Sequence, residues 1–511
     1  MSNISRDLRT LARLSPRPVR AEEAAAALGA EVAAVVDEGE ALVAQGVLAF
    51  RDGGFAPGTV ADDSTPSPVR DAQLAGALAD AIAAKAGDPA DVGRLLAAAS
   101  RWADARTMLA DGALRAGIDP ALAGDLAALA ITADSHSPGL DSTTLGRLHL
   151  AKARPLSSAG HAAEAMAELE SAIRLLDGDE EEINALGFAT AVADNMQEPQ
   201  RAETYAALGE QQAWNLGFPA KAASLLTLRG RVLSRIGFPR EADRVLERGQ
   251  ELLETHGDAG QKFRGRLNRA WVQLDRGEAG HAETGFDRLR QEAGPLEGPV
   301  SVADKEAYWA RAAFAVGRAA PALAAAERAE AAAAKLDAPA PAFIAAIARA
   351  EGGLYFERFE DALAAADQVM GYVQSGFHEW ENRARVLRGR ALVGLGRLDD
   401  AAAEATAALA ATPEGVNGLR LRKEIEVLRL LALPEGRAWP QRDVENLTDE
   451  LLAANWHLPA LELMIGRAAR EKDTELALYA TGLALDLGLP TVAVRAAHVA
   501  KLWTDPAGQA V

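Results

Sequence analysis

The chain has 511 residues, 49% of them apolar, with 54 Lys and Arg against 73 Asp and Glu and a formal charge of −19. That balance argues against broad binding to nucleic acid or to an anionic membrane and fits a soluble cytoplasmic protein. The absence of cysteine excludes a disulfide framework, a thiolate nucleophile and a cysteine-ligated metal, and the Ala-rich, aromatic-poor composition (5% Phe, Trp and Tyr) favours an all-α protein. Arg6, Asp7, Arg9 and Arg13 interrupt the first residues, so no signal peptide is expected. No run of about 18 apolar residues predicts a membrane span. The excess of Arg over Lys suits a GC-rich bacterial genome.

In chain order, Ser5 to Leu14 predicts a short helix, broken by Pro16 and Pro18. Ala21 to Leu28 is a second helix ended by Gly29, and Glu31 to Gln45 a third ended by Gly46. Val47 to Pro57 reads as a hairpin turning at Asp52-Gly53. Three helices and a hairpin are the plan of a winged helix, which sets a winged-helix-like module at residues 1–57. Its third helix carries Glu31, Asp37, Glu38 and Glu40 and no Lys or Arg, so phosphates would repel it. No direct binding of nucleic acid is expected; packing or docking a partner is. Residues 58–70 are polar and Pro-containing, a linker. Residues 71–135 predict degenerate first helical units, in which Ser100 stands where later units carry Gly.

Residues 136–415 predict a repeat array. Turn residues recur at Gly160, Gln197, Gly237, Gly277, Gly317, Glu357 and Gly396, at steps of 37 to 40 residues. Ala follows five positions later each time, at Ala165, Ala202, Ala242, Ala282, Ala322, Ala362 and Ala401. Seven positions earlier stands a small residue: Ala153, Thr190, Gly230, Ala270, Ala310, Ala350 and Gly389. Each unit predicts a helix, a tight turn and a second helix, brought close by the small residues. Neighbouring units must stack to bury their apolar faces. Loops between units are expected at Asp177 to Glu182, Glu254 to Gly260, Gly294 to Ser301 and Thr412 to Gly418. Residues 416–511 read as helical units capping the array.

The stretches Ile236-Gly237-Phe238-Pro239-Arg240-Glu241-Ala242 and Leu395-Gly396-Arg397-Leu398-Asp399-Asp400-Ala401 resemble the turn of the tetratricopeptide repeat. The resemblance covers about Ser142 to Pro413. It implies a right-handed α-solenoid of helical hairpins, with each first helix lining a concave groove. The period exceeds the usual repeat of about 34 residues, and Ala and Leu replace most large aromatic residues. In both respects the repeats resemble those of bacterial STAND regulators of the MalT type. Leu14 to Val19, leading into Ala27-Leu28-Gly29, is similar to the winged-helix module of those proteins. There the module follows an ATPase; here it follows Met1, so the resemblance implies an ATPase lost or carried by a separate chain. The helix-turn-helix that ends many such regulators is not recognisable after Trp439.

Six residues before the turns stand Arg154, Ala191, Arg231, Trp271, Arg311, Glu351 and Arg390. Eight before them stand Lys152, Ala189, Arg229, Arg269, Trp309, Arg349 and Arg388. Residues two apart on a helix diverge by about 160°, so only one row faces the groove fully. Arg154, Arg231, Trp271, Arg311 and Arg390 are the candidate ligand-binding residues. Arg offers bidentate hydrogen bonds to carboxylate or phosphate, and Trp offers stacking. The competing reading is that these arginines pair with Asp and Glu of neighbouring helices. Trp214, Phe218, Tyr355, Phe356, Phe359 and Trp380 are assigned to core filling. No phosphate loop, dinucleotide fingerprint, nucleophile elbow or metal spacing is present, so no catalytic residue, cofactor or metal is expected. The expected function is non-enzymatic: a scaffold whose groove binds a partner protein, an acidic peptide or a small acidic ligand. The alternative is a sensory or regulatory subunit of a STAND-type transcriptional system, acting with a separate ATPase or DNA-binding partner.

Overall fold

The computed structural model describes residues 3–60, 67–115, 117–196, 198–297, 299–336, 338–412, 418–434, 437 and 439–504. They form two compact units: Met1–Leu156 with Ala167–Glu182, and Ser157–Met166 with Ile183–Val511. Among the described residues the fold is all-α but for one hairpin. Among the described residues no helix is long and apolar enough to cross a membrane.

The first unit opens with α1 (Asn3–Leu14), α2 (Ala21–Leu28) and α3 (Val32–Ala44), then strands β1 (Leu48–Arg51) and β2 (Gly54–Pro57). The strands are antiparallel, with Phe50 opposite Phe55 and Arg51 opposite Gly54. Asp52 and Gly53 both take positive φ, 51° and 77°, the geometry a two-residue hairpin needs. A bridge between Val19 and Phe55 ties the hairpin to the segment joining α1 and α2. Next come α4 (Pro68–Ala83), α5 (Pro89–Ala98), α6 (Trp102–Ala113) and α7 (Pro120–His136). One apolar cluster runs from Leu8, Val19, Val35 and Phe55 through Leu74, Leu95 and Leu109 to Leu148. The small helices and hairpin therefore share their core with the longer helices that follow. Ser100 takes φ +57°, so it does the work of the glycine it replaces. Residues 61–66 of the expected linker lie outside the described residues, and its end from Pro68 already belongs to α4.

Most of α8 (Ser142–Ser158) and α9 (Ala162–Leu175) belongs to the first unit; the second carries α10 (Glu180–Asn195) from Ile183 on, α11 (Pro199–Asn215), α12 (Pro219–Ile236), α13 (Pro239–His256), α14 (Ala259–Arg276) and α15 (Ala279–Glu297). Beyond these lie α16 (Pro299–Ala315), α17 (Ala319–Leu336), α18 (Pro339–Tyr355), α19 (Phe359–Ser375), α20 (Glu381–Gly394) and α21 (Leu398–Ala410). This is a solenoid of tetratricopeptide-like hairpins. Every Ala of the repeat signature is at most 1% exposed. The turn residues Gly160, Gly237, Gly277, Gly317 and Gly396 have φ between 72° and 97°; Gln197 lies outside the described residues. The small residues sit where side chains would collide. A Cβ on Gly230 would come within 2.5 Å of Leu246 Cγ, and one on Gly389 within 2.5 Å of Leu428 Cδ2. One expected loop is absent: Gly294 to Glu297 complete α15, and Pro299 opens α16 at the first helical position, where its missing N–H costs nothing.

Five further helices complete the second unit: α22 (Leu419–Leu431), α23 (Gln441–Ala453), α24 (His457–Glu471), α25 (Thr474–Asp486) and α26 (Pro490–Thr504). They reach back to the turns of earlier hairpins. Trp456 Nε1 donates to the Ser234 carbonyl at 3.3 Å, and its ring lies over Gly237. Leu458 faces Gly277, and Pro490 faces Gly317. Bare glycine turns thus form the seats for the later helices.

Glu357 tests the turn requirement. It holds φ +56° without being glycine, a strain of about 1–2 kcal/mol. Its ion pair with Arg495, at 3.4 Å and 57% side-chain exposure, returns little. After subtracting glycine's greater entropy in the unfolded chain, Glu357→Gly is expected to stabilise the protein by about 0.5–1 kcal/mol, measured by denaturant unfolding.

Candidate functional site: an arginine-lined cleft of the second unit

From Arg231 onward the row six residues before the turns faces inward. In the second unit it brings Arg231 from α12, Trp271 from α14, Arg311 from α16, Glu351 from α18 and Arg390 from α20 to one cleft. One helical turn later the same face carries Arg235, Asp275 and Tyr355, as the i, i+4 geometry dictates. The C-terminal helices close the other side with Arg420 and Glu424 from α22 and Glu462 from α24. The wider lobe, around Trp271, Tyr308 and Trp380, has room for about 100 Å³; the narrower, around Tyr355 and Leu458, about 50 Å³.

Carboxylates thread between the arginines. Asp194 receives Arg231 and Arg235, each at 2.6 Å. Glu351 takes both arms of Arg311, at 2.8 and 2.9 Å, and a third bond from Arg383 at 3.1 Å. Arg420 pairs with Glu424 at 3.1 Å, reaches the Asp275 carbonyl at 2.7 Å and stands 3.7 Å from the Asp275 carboxylate. Arg390 meets Glu462 at 3.0 Å. These arginines thus pair with carboxylates of other helices while lining the cleft. Arg231 and Arg311 are only 7% and 8% exposed. The Arg231 guanidinium lies 4.4 Å above the Trp271 ring.

Burial alone would raise the carboxyls of Asp275, Glu351 and Glu424. The arginines outweigh it and hold all three below the ordinary range: Arg420 first for Asp275 and Glu424, Arg311 first for Glu351. Burial pushes the Tyr308 hydroxyl up to about 12 and moves Tyr355 in the same direction.

The row eight residues before the turns joins neighbouring hairpins instead. Arg229 reaches Glu210 at 3.1 Å, Arg269 reaches Gln250 at 2.7 Å, and Arg349 reaches Glu330 at 2.7 Å, each spanning 19 residues. At the equivalent place Arg290 stacks on Trp309 at 4.2 Å. Trp309 is thus a buried strut and does not line the cleft.

Of the five candidates, Arg231, Trp271, Arg311 and Arg390 line the cleft, and Arg154 does not. Arg154 is exposed on the part of α8 that belongs to the first unit, beside Arg147 and Glu181. Trp380 and Tyr355, assigned to core filling, line the cleft. Arg235 and Asp275 were missed although they repeat the inward face one turn on. Arg383, Arg420, Glu424 and Glu462 were missed because they fall outside the periodic rows.

No protein-family model matches the chain, and no curated protein matches it. Among solved structures it is similar to a signal transduction ATPase with numerous domains, bearing a tetratricopeptide repeat sensor, from Pyrococcus horikoshii. Identity there is 11%, over 89% of this chain and 63% of that one, with a TM-score of 0.39. A Rap protein complexed with competence and sporulation factor matches at 14% identity over 70% of this chain and 95% of that one, TM-score 0.47. Yeast Tom70 matches at 13% over 81% and 94%, TM-score 0.32. The chain thus spans 63% of the length of the Pyrococcus protein.

The depressed carboxyls set an acid limit. Each contributes stability above its unfolded pKa, about 4, and loses it as pH falls through the lower folded value. Glu278 and Glu330, raised by burial, act with the opposite sign, while Glu292 is lowered by Arg288 and Arg266 and sides with the three, so four groups stand against two. The thermal midpoint of the second unit is therefore expected to fall steeply below about pH 4, read by circular dichroism.

Proposed function

We propose that the protein is a non-enzymatic recognition protein whose second unit binds the acidic part of a partner in the arginine cleft. The observation that carries this reading is convergence: arginines from successive first helices meet at one cleft, in a chain of charge −19. Seven arginines and five carboxylates line its two lobes, leaving a positive surplus where the protein as a whole is acidic. The site suits binding better than proton transfer, because the carboxyls of Asp275, Glu351 and Glu424 are held below the ordinary range and the hydroxyls of Tyr308 and Tyr355 above it.

A second reading, a regulatory subunit related to STAND-type systems, draws support from the three helices and hairpin of residues 3–57. The exposed acids of α3, Glu31, Asp37 and Glu40, suit docking on a basic partner surface.

An oligo-glutamate peptide tests the first reading. Arg235→Gln with Arg383→Gln leaves Asp194 to Arg231, Glu351 to Arg311 and Glu424 to Arg420, so the ion pairs that hold the fold keep a partner. The native chain is expected to bind the peptide with an affinity that falls as salt rises, and the double variant at least tenfold more weakly, by calorimetry. Equal binding by both proteins contradicts the proposal.

A further inference from the structure

We infer that the wider lobe of the cleft is a site for one small dianion, a phosphomonoester or a dicarboxylate. The inference rests on the reading of the cleft as a ligand site and names the ligand's chemistry. Size comes first. Room for about 100 Å³ is several times the 10–15 Å³ or so that one ordered water occupies. It is also far too small for a helix, about 10 Å across. A small polar solute fits between these limits.

Charge comes second. Five arginines line the wider lobe against three carboxylates. Two of the lobe's carboxylates, Asp194 and Glu424, are held in direct ion pairs of 2.6 and 3.1 Å. Asp275 is the looser one, 3.7 Å from Arg420, and it alone opposes an anion at close quarters. Arg420, Arg235, Arg383 and Arg311 all act on it, so the local field still favours negative charge.

Unfilled donors come third. Trp271 Nε1 is buried at the lobe and has no hydrogen-bond partner. Arg231 Nε, on the guanidinium stacked over the same indole, has none either. Both groups can only donate, so what completes them is an acceptor oxygen, and because both atoms are closed to solvent an entering oxyanion reaches them by a shift of the stacked indole and guanidinium. A buried polar group left unmade costs stability, which gives an entering oxyanion a gain that an exposed arginine could not offer. Arg235 stands beside them with its other partner, Asp194, already satisfied by Arg231.

The test is calorimetric titration of the full chain with inorganic phosphate and, separately, with succinate, using acetate as the monoanion control. One saturable site per chain is expected, at least tenfold tighter than for acetate. Trp271→Phe keeps the stacking ring and removes the N–H, and Arg235→Gln removes one surplus charge. Each is expected to weaken binding at least tenfold, with the circular dichroism spectrum unchanged. Binding of phosphate alone assigns a phosphomonoester, and binding of succinate alone a dicarboxylate. Saturable binding that both variants leave intact puts the ion elsewhere and overturns the inference. If neither dianion binds while oligo-glutamate still binds through Arg235 and Arg383, the dianion site falls and the acidic-partner reading stands. If none of the three binds, both fall.

Discussion

The structure depends on how closely the two helices of each hairpin approach. A left-handed turn residue reverses the chain, and small residues on both sides of it remove the side chains that would hold the helices apart. Ala242, Ala282, Ala322 and Ala362 are almost completely buried against their partner helices. Close approach fixes the rotation of each first helix about its own axis. With rotation fixed, Arg231, Trp271, Arg311, Glu351 and Arg390, each six positions before a turn of the second unit, deliver their side chains to one cleft. The bare glycines serve a second purpose. Without a Cβ, Gly237, Gly277 and Gly317 leave room for Trp456, Leu458 and Pro490, so the C-terminal helices can close the cleft.

That closure puts arginines where water is scarce, and their counter-charges follow. Buried ion pairs add little net stability relative to apolar packing, because desolvation offsets attraction. Their presence here is better explained by what they hold ready. Asp194 and Glu351 each bind two arginines, so on the proposed reading either arginine could turn toward a ligand while the carboxylate keeps a partner. The cleft is thereby kept folded and charged at once. Depressed carboxyl pKa values keep it so down to acid pH.

Much of this is legible in the sequence, for a physical reason: backbone requirements repeat with the chain. The turns, the buried Ala positions, the N-terminal helices and hairpin, and even Ser100 as a stand-in for Gly follow from local conformational demands. The inward face of Arg231, Arg311 and Arg390 follows from the same periodicity. Pairing is a different matter. Glu351 reads as a break in a cationic row, yet its carboxylate is the acceptor for Arg311, 40 residues away, and for Arg383. Arg420 reaches Asp275 across 145 residues and Glu462 reaches Arg390 from a helix outside the repeat; no spacing announces either. Arg154 shows the limit of periodicity, since the same position in the signature leaves it exposed in the first unit. Tyr355 and Trp380 show that an aromatic residue on a helical face reads alike whether it fills a core or lines a cleft.

The central claim is that the inward arginines form a place for an anion. Crystals grown or soaked with selenate, a tetrahedral dianion that scatters anomalously, test it most directly. An anomalous peak between Trp271 Nε1, Arg231 and Arg235, in every copy of the chain, is the predicted result. Selenate confined to exposed arginines, with the cleft holding only water, would contradict it.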